Sequence, residues 1–232
     1  MRDLVLDERL ETLAALVGDA ATAADIGADH GLLACALLER MPARRMIVSD
    51  ISAPSLDKAR RLLGERGLLD RARLCVADGL GGLDAPVEAI VIAGMGGGTI
   101  RAILEAGRDR IGNARLVLQP NLDADRLRAD LCAGGFVIED ERVALCAGRY
   151  YPIICARQGV SAPLAAREAF LGPVLLRTRP ARYADYLAWM RGVRLGELAR
   201  VRQGRSERAQ ARRRELDEQI AWIEEALAWT PR

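Results

Sequence analysis

Apolar residues along this chain come in two rhythms. Short continuous apolar runs at residues 22–28, 45–51, 72–78, 89–93 and 114–119 are bounded by glycine, proline or acidic residues. Between them, stretches at 32–39, 54–66, 99–106 and 123–133 repeat their apolar positions every three to four residues. The first rhythm predicts strands covered on both faces, the second the helices that cover them. Their alternation predicts an α/β fold built on a doubly wound parallel sheet. A leading amphipathic helix is expected over 4–17, and Ser52 and Pro54 read as the cap and first turn of the helix at 54–66.

After residue 135 the rhythm changes. The runs at 136–145 and 150–157 are separated only by Cys146-Ala147-Gly148-Arg149, which predicts an antiparallel hairpin. A parallel sheet finished by such a hairpin is the layout of Rossmann-like class I S-adenosylmethionine (SAM) methyltransferases. A linker near 158–163 divides two expected domains, 1–158 and 161–232. The second is helical, with a segment over 164–177, a break at Pro180, and long helices over 181–202 and 206–228 separated at Gln203-Gly204-Arg205. Leu216, Ile220, Ile223 and Leu227 keep the 4-3-4 spacing of a narrow seam, faced by Tyr183, Leu187 and Met190, so an antiparallel coiled coil is expected.

Composition narrows the class. The chain has 232 residues, half of them hydrophobic, and a mean hydropathy of +0.02, enough for a sizeable core. No apolar run approaches the roughly 20 residues of a membrane span, and acids stand near the start where a signal peptide would be apolar, so a cytoplasmic protein is expected. The five cysteines are scattered with no C-x-x-C, and one histidine cannot build an imidazole metal site, so neither disulfides nor a metal is expected. Net charge is only +2, yet between Arg177 and Arg214 there are twelve arginines against three acids. That basic tail suits a polyanionic partner.

The chemistry concentrates where strands should end. Asp25-Ile26-Gly27-Ala28-Asp29-His30-Gly31 reads as a strand, a tight glycine turn and a helix start, a geometry expected to aim free N–H groups at a ligand. The glycines do not make G-x-G-x-x-G, and an acid before a single glycine suits a ligand with a cationic end better than a pyrophosphate. Asp50 is placed to accept hydrogen bonds from ribose hydroxyls, Ile51 to pack on an adenine ring, and Asp78-Gly79 to face the adenine amino group. Singly, each aspartate reads equally as a cap or turn former; together they indicate a SAM site. Gly94-Met95-Gly96-Gly97 is expected as a turn beside the methyl acceptor, without the [DN]-P-P-[FY] of many amino-methylating enzymes. Asp29 is the candidate catalytic group, as proton acceptor or electrostatic stabiliser, with a turn former as its plainer reading; His30 can stack or donate a hydrogen bond. Asn121 after Gln119-Pro120, and Tyr150-Tyr151, are expected on the same rim, where Asn can read a base edge and Tyr can stack, or where all simply pack. Arg202, Arg205 and Arg208 are candidates for gripping RNA, or for a solvated helix face.

These residues resemble a known family. Leu6-Asp7-Glu8-Arg9-Leu10-Glu11-Thr12-Leu13, Ala24 to Leu33, Ile92-Ala93-Gly94-Met95-Gly96-Gly97, Leu118-Gln119-Pro120-Asn121 and Phe170 to Leu176 are similar to the bacterial TrmK family. The resemblance covers most of the chain; Tyr151-Pro152 departs from the tyrosine-then-acid pattern of the family. It implies a SAM-dependent methyltransferase acting on N1 of adenine 22 in tRNA, with a SAM-binding Rossmann-like domain and a helical coiled-coil tail. A class I methyltransferase with another acceptor, and a non-catalytic RNA-binding protein, are the alternatives.

Overall fold

The computed structural model describes residues 4–202 and 206–228. Seven strands form one sheet: β1 (Thr22–Ile26), β2 (Arg45–Asp50), β3 (Ala72–Val76), β4 (Ala89–Gly96), β5 (Arg115–Leu122), β6 (Phe136–Cys146) and β7 (Arg149–Gln158), in the order β3-β2-β1-β4-β5-β7-β6. The first five run parallel, and β7 enters antiparallel between β5 and β6. Helices α1 (Glu8–Val17), α2 (Leu32–Arg40), α3 (Ala53–Glu65), α4 (Gly97–Ala106), α5 (Arg108–Ile111) and α6 (Ala124–Ala133) flank it. The tail adds α7 (Ala166–Leu171), α8 (Pro173–Thr178), α9 (Tyr183–Val201) and α10 (Glu207–Ala228).

The central strands read as unbroken apolar runs because helices cover both faces. In β4, Val91 joins a core with Leu13, Leu37 and Leu63 from α1–α3, while Ile90 and Ile92 join a second core with Ile100, Leu104 and Leu127 from α4 and α6. Burying each such side chain contributes about 1.5–3 kcal/mol. The helix starts are set locally. Ser52 Oγ accepts the Ser55 amide (3.3 Å), as expected, and Asp7 accepts the Leu10 amide (2.8 Å), so α1 begins at Glu8 rather than at residue 4.

A third apolar cluster joins the tail to the hairpin: Val143 of β6 packs with Phe170, Leu171, Leu175, Tyr183, Leu187 and Ile223. Tyr150 goes there too, its ring 6.0 Å from Tyr186 and 5.8 Å from Trp189. That corrects its expected place on the cleft rim: alternate residues of a strand face opposite ways, so Tyr150 and Tyr151 diverge. The helical stretch at 164–177 is split at Gly172, whose φ of 90° no helix continues. Between α9 and α10, the Arg191–Glu224 and Arg212–Glu197 ion pairs show the antiparallel course. Leu216, Ile220 and Ile223 are buried, but Leu227 is exposed and Ala226 takes its place.

Candidate active site

The carboxyl ends of β1–β4 surround a cleft of about 540 Å³, where ligands sit in doubly wound sheets. Ten of the residues singled out from sequence line it: Asp25, Gly27, Asp29, His30, Asp50, Ile51, Asp78, Gly79, Gly94 and Met95. Arg9 and Leu10 from α1, and Thr99 and Ile103 from α4, line it as well. These four were not legible in the sequence, because helix residues reach the cleft only through the packing of α1 and α4.

At its floor, Asp25 is 5% exposed. Burial, reinforced by the neighbouring Asp50, pushes its carboxyl up to about 7, while the Ala34 amide of α2 pulls the other way. Asp50 accepts the amides of Asp29 (3.0 Å) and Ser52 (2.8 Å), one on each oxygen, which leaves a lone pair on each. The first two amides of the turn after β1 are already engaged. Gly27 and Ala28 both donate to the Ser49 carbonyl (2.8 and 3.0 Å), so the turn is laced to β2. What Gly27 supplies is a left-handed backbone, φ 72°, that a side chain would strain.

Asp29 sits in the left-handed region at φ 46°, with its side chain exposed. His30 Nε2 lies 3.5 Å from Asp29 Oδ1 and 3.0 Å from Lys58 Nζ. The two neighbours ask opposite roles of Nε2: Lys58 asks for a lone pair and Asp29 for an N–H, and the tautomer decides which is served. Ile51 lines the cleft while remaining 70% exposed, and Val76, its neighbour one strand away, is exposed too. Large apolar side chains left open on adjacent strand ends suit a flat apolar ring.

Toward β5, the glycine run is strand as far as Gly96 and helix from Gly97, with no separate turn between them. β4 continues to Gly96 and β5 to Leu122, paired across irregular steps around Met95. Side chains hold this bulged pairing: Gly94 N–H donates to Gln119 Oε1 (3.2 Å) and Asn121 Nδ2 to the Gly94 carbonyl (2.6 Å). Asn121, Gly96 and Tyr151 are not among the residues that line this cleft, though Asn121 touches its lining residue Gly94 and Tyr151 its lining residue Arg9. Tyr151 lies between two guanidinium groups, Arg9 at 5.7 Å and Arg149 at 5.4 Å from the ring centroid. Arg202 and Arg208 are exposed at the end of the helix pair away from the sheet, and Arg205 lies outside the described residues.

This floor fits SAM. A buried carboxyl whose charged neighbour is another acid calls for a cation, the second acid keeps acceptors for a diol, and open apolar strand ends await a ring. Fold and cleft together define a Rossmann-like SAM-dependent methyltransferase. Residues 23–225 match the family described as tRNA (adenine(22)-N(1))-methyltransferase, TrmK, and the chain belongs to that family. It is 35% identical over 161 residues, 68% of each chain, to the tRNA (adenine(22)-N(1))-methyltransferase of Bacillus subtilis. The crystal structure of B. subtilis TrmK superposes with a TM-score of 0.84 at 26% identity, covering 97% of this chain and all of that one. A putative tRNA (m1A22) methyltransferase from Streptococcus pneumoniae, solved in complex with S-adenosyl-L-methionine, gives a TM-score of 0.81 at 30% identity, covering 96% and 100%.

Proposed function

We propose that the cleft binds SAM along β1–β3 and presents its methyl group to N1 of adenine 22 of tRNA at the β4 end. Asp25 faces the cationic methionine end, Asp50 takes the ribose hydroxyls on its spare lone pairs, Ile51 backs the adenine ring, and Asp78-Gly79 meets the adenine amino edge. Bound there, SAM supplies an electrophilic methyl group. The protein's own contribution is to position a weak nucleophile in line and exclude water around it. Methylation leaves positive charge on the base unless its 6-amino group loses a proton, and Asp29 is the carboxyl group that offsets this charge or takes that proton. N1 is engaged in Watson–Crick pairing, so the base must arrive unpaired or flipped. A SAM-binding body over 1–158 and a helical RNA-gripping unit over 161–232 divide the work, and a tRNA substrate places it in the cytoplasm.

The observation that carries this reading is the set of acids at three successive strand ends around one cleft. Nucleoside mass spectrometry on tRNA incubated with enzyme and SAM should show 1-methyladenosine; its absence with active controls would sink the reading. Asp29→Asn is the sharper variant, since Asn tolerates a left-handed backbone that strains Ala. Turnover should fall about 100-fold or more with SAM affinity nearly unchanged. A near-normal single-turnover rate would make Asp29 a turn former.

A further inference from the structure

Two arginines at the β4–β5 side of the cleft stand without acids. Arg9 of α1 lines the cleft, and Arg149 is exposed at the β6–β7 turn. Both guanidinium groups lie over the Tyr151 ring, 5.7 and 5.4 Å from its centroid. Such contacts are attractive, but they neutralise no charge. The acids beside Arg9 in sequence are engaged elsewhere: Asp7 accepts the Leu10 amide (2.8 Å), and Glu8 pairs with Arg182 (2.7 Å). Among the described residues neither Arg9 nor Arg149 has an ion-pair partner. Their hydrogen bonds go to neutral acceptors on β5, from Arg9 Nη1 to Gln119 Oε1 (3.0 Å) and from Arg149 Nη2 to the Asn121 carbonyl (2.7 Å). A guanidinium carries five N–H donors, so each keeps most of its fork for another acceptor. Gly94, which lines the cleft, is hydrogen-bonded to the side chains of both Gln119 and Asn121, so the two cations are tied to the cleft edge.

We propose that Arg9 and Arg149, spaced by Tyr151, form a phosphate clamp that seats the tRNA strand beside the target adenine. The clamp rests on the methyltransferase reading above and adds an RNA contact at the reacting end, separate from the arginines of the tail. Two unmatched cations held at one rim call for anions, and the planar fork of arginine pairs phosphate oxygens bidentately. An RNA strand offers successive phosphates, one for each guanidinium. The carboxylate of SAM is the other anion within reach, but it offers a single charge, and Arg149 lies outside the cleft lining. In this role the Tyr151 ring carries guanidinium groups and not a base.

Arg149→Gln is the main test, because it leaves the Arg9–Gln119 contact in place; Arg149→Lys keeps the charge and loses the fork. In filter binding at several salt concentrations, Arg149→Gln should weaken tRNA about tenfold and lower the log–log salt slope by about one, while Arg149→Lys keeps the wild-type slope. Arg9→Gln should act alike, and the double variant should lose about two in slope. Calorimetric SAM affinity should stay within about twofold of wild type throughout. Placement is read with a synthetic tRNA whose phosphates flanking adenine 22 are neutral methylphosphonates. Wild type should lose affinity on it as the double variant does on normal tRNA, and the double variant should lose less than twofold further. An unchanged slope in Arg149→Gln, or wild type binding both tRNAs equally, would overturn the clamp whatever the stability of the variants. A tenfold loss of SAM affinity in Arg9→Gln with the tRNA slope intact would assign the anion to the SAM carboxylate and overturn it as well. If wild type bound tRNA through both arginines yet transferred no methyl group, the methyltransferase reading would fail and the RNA contact would stand.

Discussion

At the residue scale the informative side chain is Asp25, because its environment contradicts its charge. Its ionisation is opposed in the fold by burial and by Asp50, so it holds its proton to about pH 7 against an ordinary value of 3.8. The unfolded chain releases that proton near pH 4, the folded chain only near 7. The contribution of Asp25 to stability is therefore complete at low pH and is lost as pH rises from about 4 to 7, by at most about 1.4 kcal/mol per pH unit. Urea unfolding of wild type and Asp25→Asn across this range should show the difference in stability between them shifting against wild type as pH rises, then levelling off. Parallel curves would mean that Asp25 ionises normally. A cation placed against Asp25 favours the charged form, so SAM binding near pH 6 should release protons, visible as a dependence of calorimetric heat on buffer ionisation enthalpy. Sequence made the position of Asp25, Asp50 and Asp78 legible, since strand ends show in the apolar runs. It did not make Arg9 or Gln119 legible as partners, because their contact spans 110 positions and exists only once α1 packs beside β4 and β5.

At the scale of elements, periodicity predicted nearly every helix and strand. The misplaced boundaries lie where side chains intervene, at Asp7, at Gly172, and at the Gln119–Asn121 network that carries strand into the glycine run. A charged pair that periodicity alone assigns to the surface is the clasp of the tail. Arg128 of α6 and Glu141 of β6 are both fully buried and meet at 2.6 Å. Arg128 also donates to the Ala169 carbonyl of α7 (3.0 Å), and Glu141 accepts the Val174 and Leu175 amides that open α8 (2.8 and 3.3 Å). Burial alone would lower the pKa of Arg128, but the Glu141 charge and hydrogen bond outweigh it and keep the guanidinium protonated. Removing one partner leaves a buried charge unmatched, so Arg128→Met should lower stability by about 3–5 kcal/mol in urea unfolding. The double variant Arg128→Met/Glu141→Leu should recover part of that loss. A single variant destabilised by less than about 1 kcal/mol would assign the clasp to the surrounding apolar cluster alone.

At the scale of the molecule, charge separates the helix pair into two ends. Near the sheet, Tyr183, Leu187, Met190 and Ile223 are buried against the hairpin and α7–α8. Farther out the apolar stripe lapses into an ion-pair chain, Arg194–Glu197–Arg212–Glu215, which holds the helices together with charges instead. Arg212 is thus committed within the protein, and among the described residues at this outer end the exposed arginines are Arg200, Arg202, Arg208 and Arg214. Arginine pairs phosphate oxygens bidentately and stays charged at any relevant pH. Replacing these four by glutamine should leave SAM affinity and unfolding unchanged while weakening tRNA binding. Each lost phosphate contact should also reduce the steepness of the salt dependence by about one in log–log slope. Replacing Arg212 should behave differently: it breaks two ion pairs within the helix pair, so a lower melting temperature should accompany any loss of tRNA affinity. Filter binding at several salt concentrations, with thermal unfolding of the same variants, distinguishes the cases. Unchanged tRNA affinity and slope in the fourfold variant would show the exposed arginines to be a solvated face and move the RNA contact to the Arg9–Tyr151–Arg149 side of the cleft.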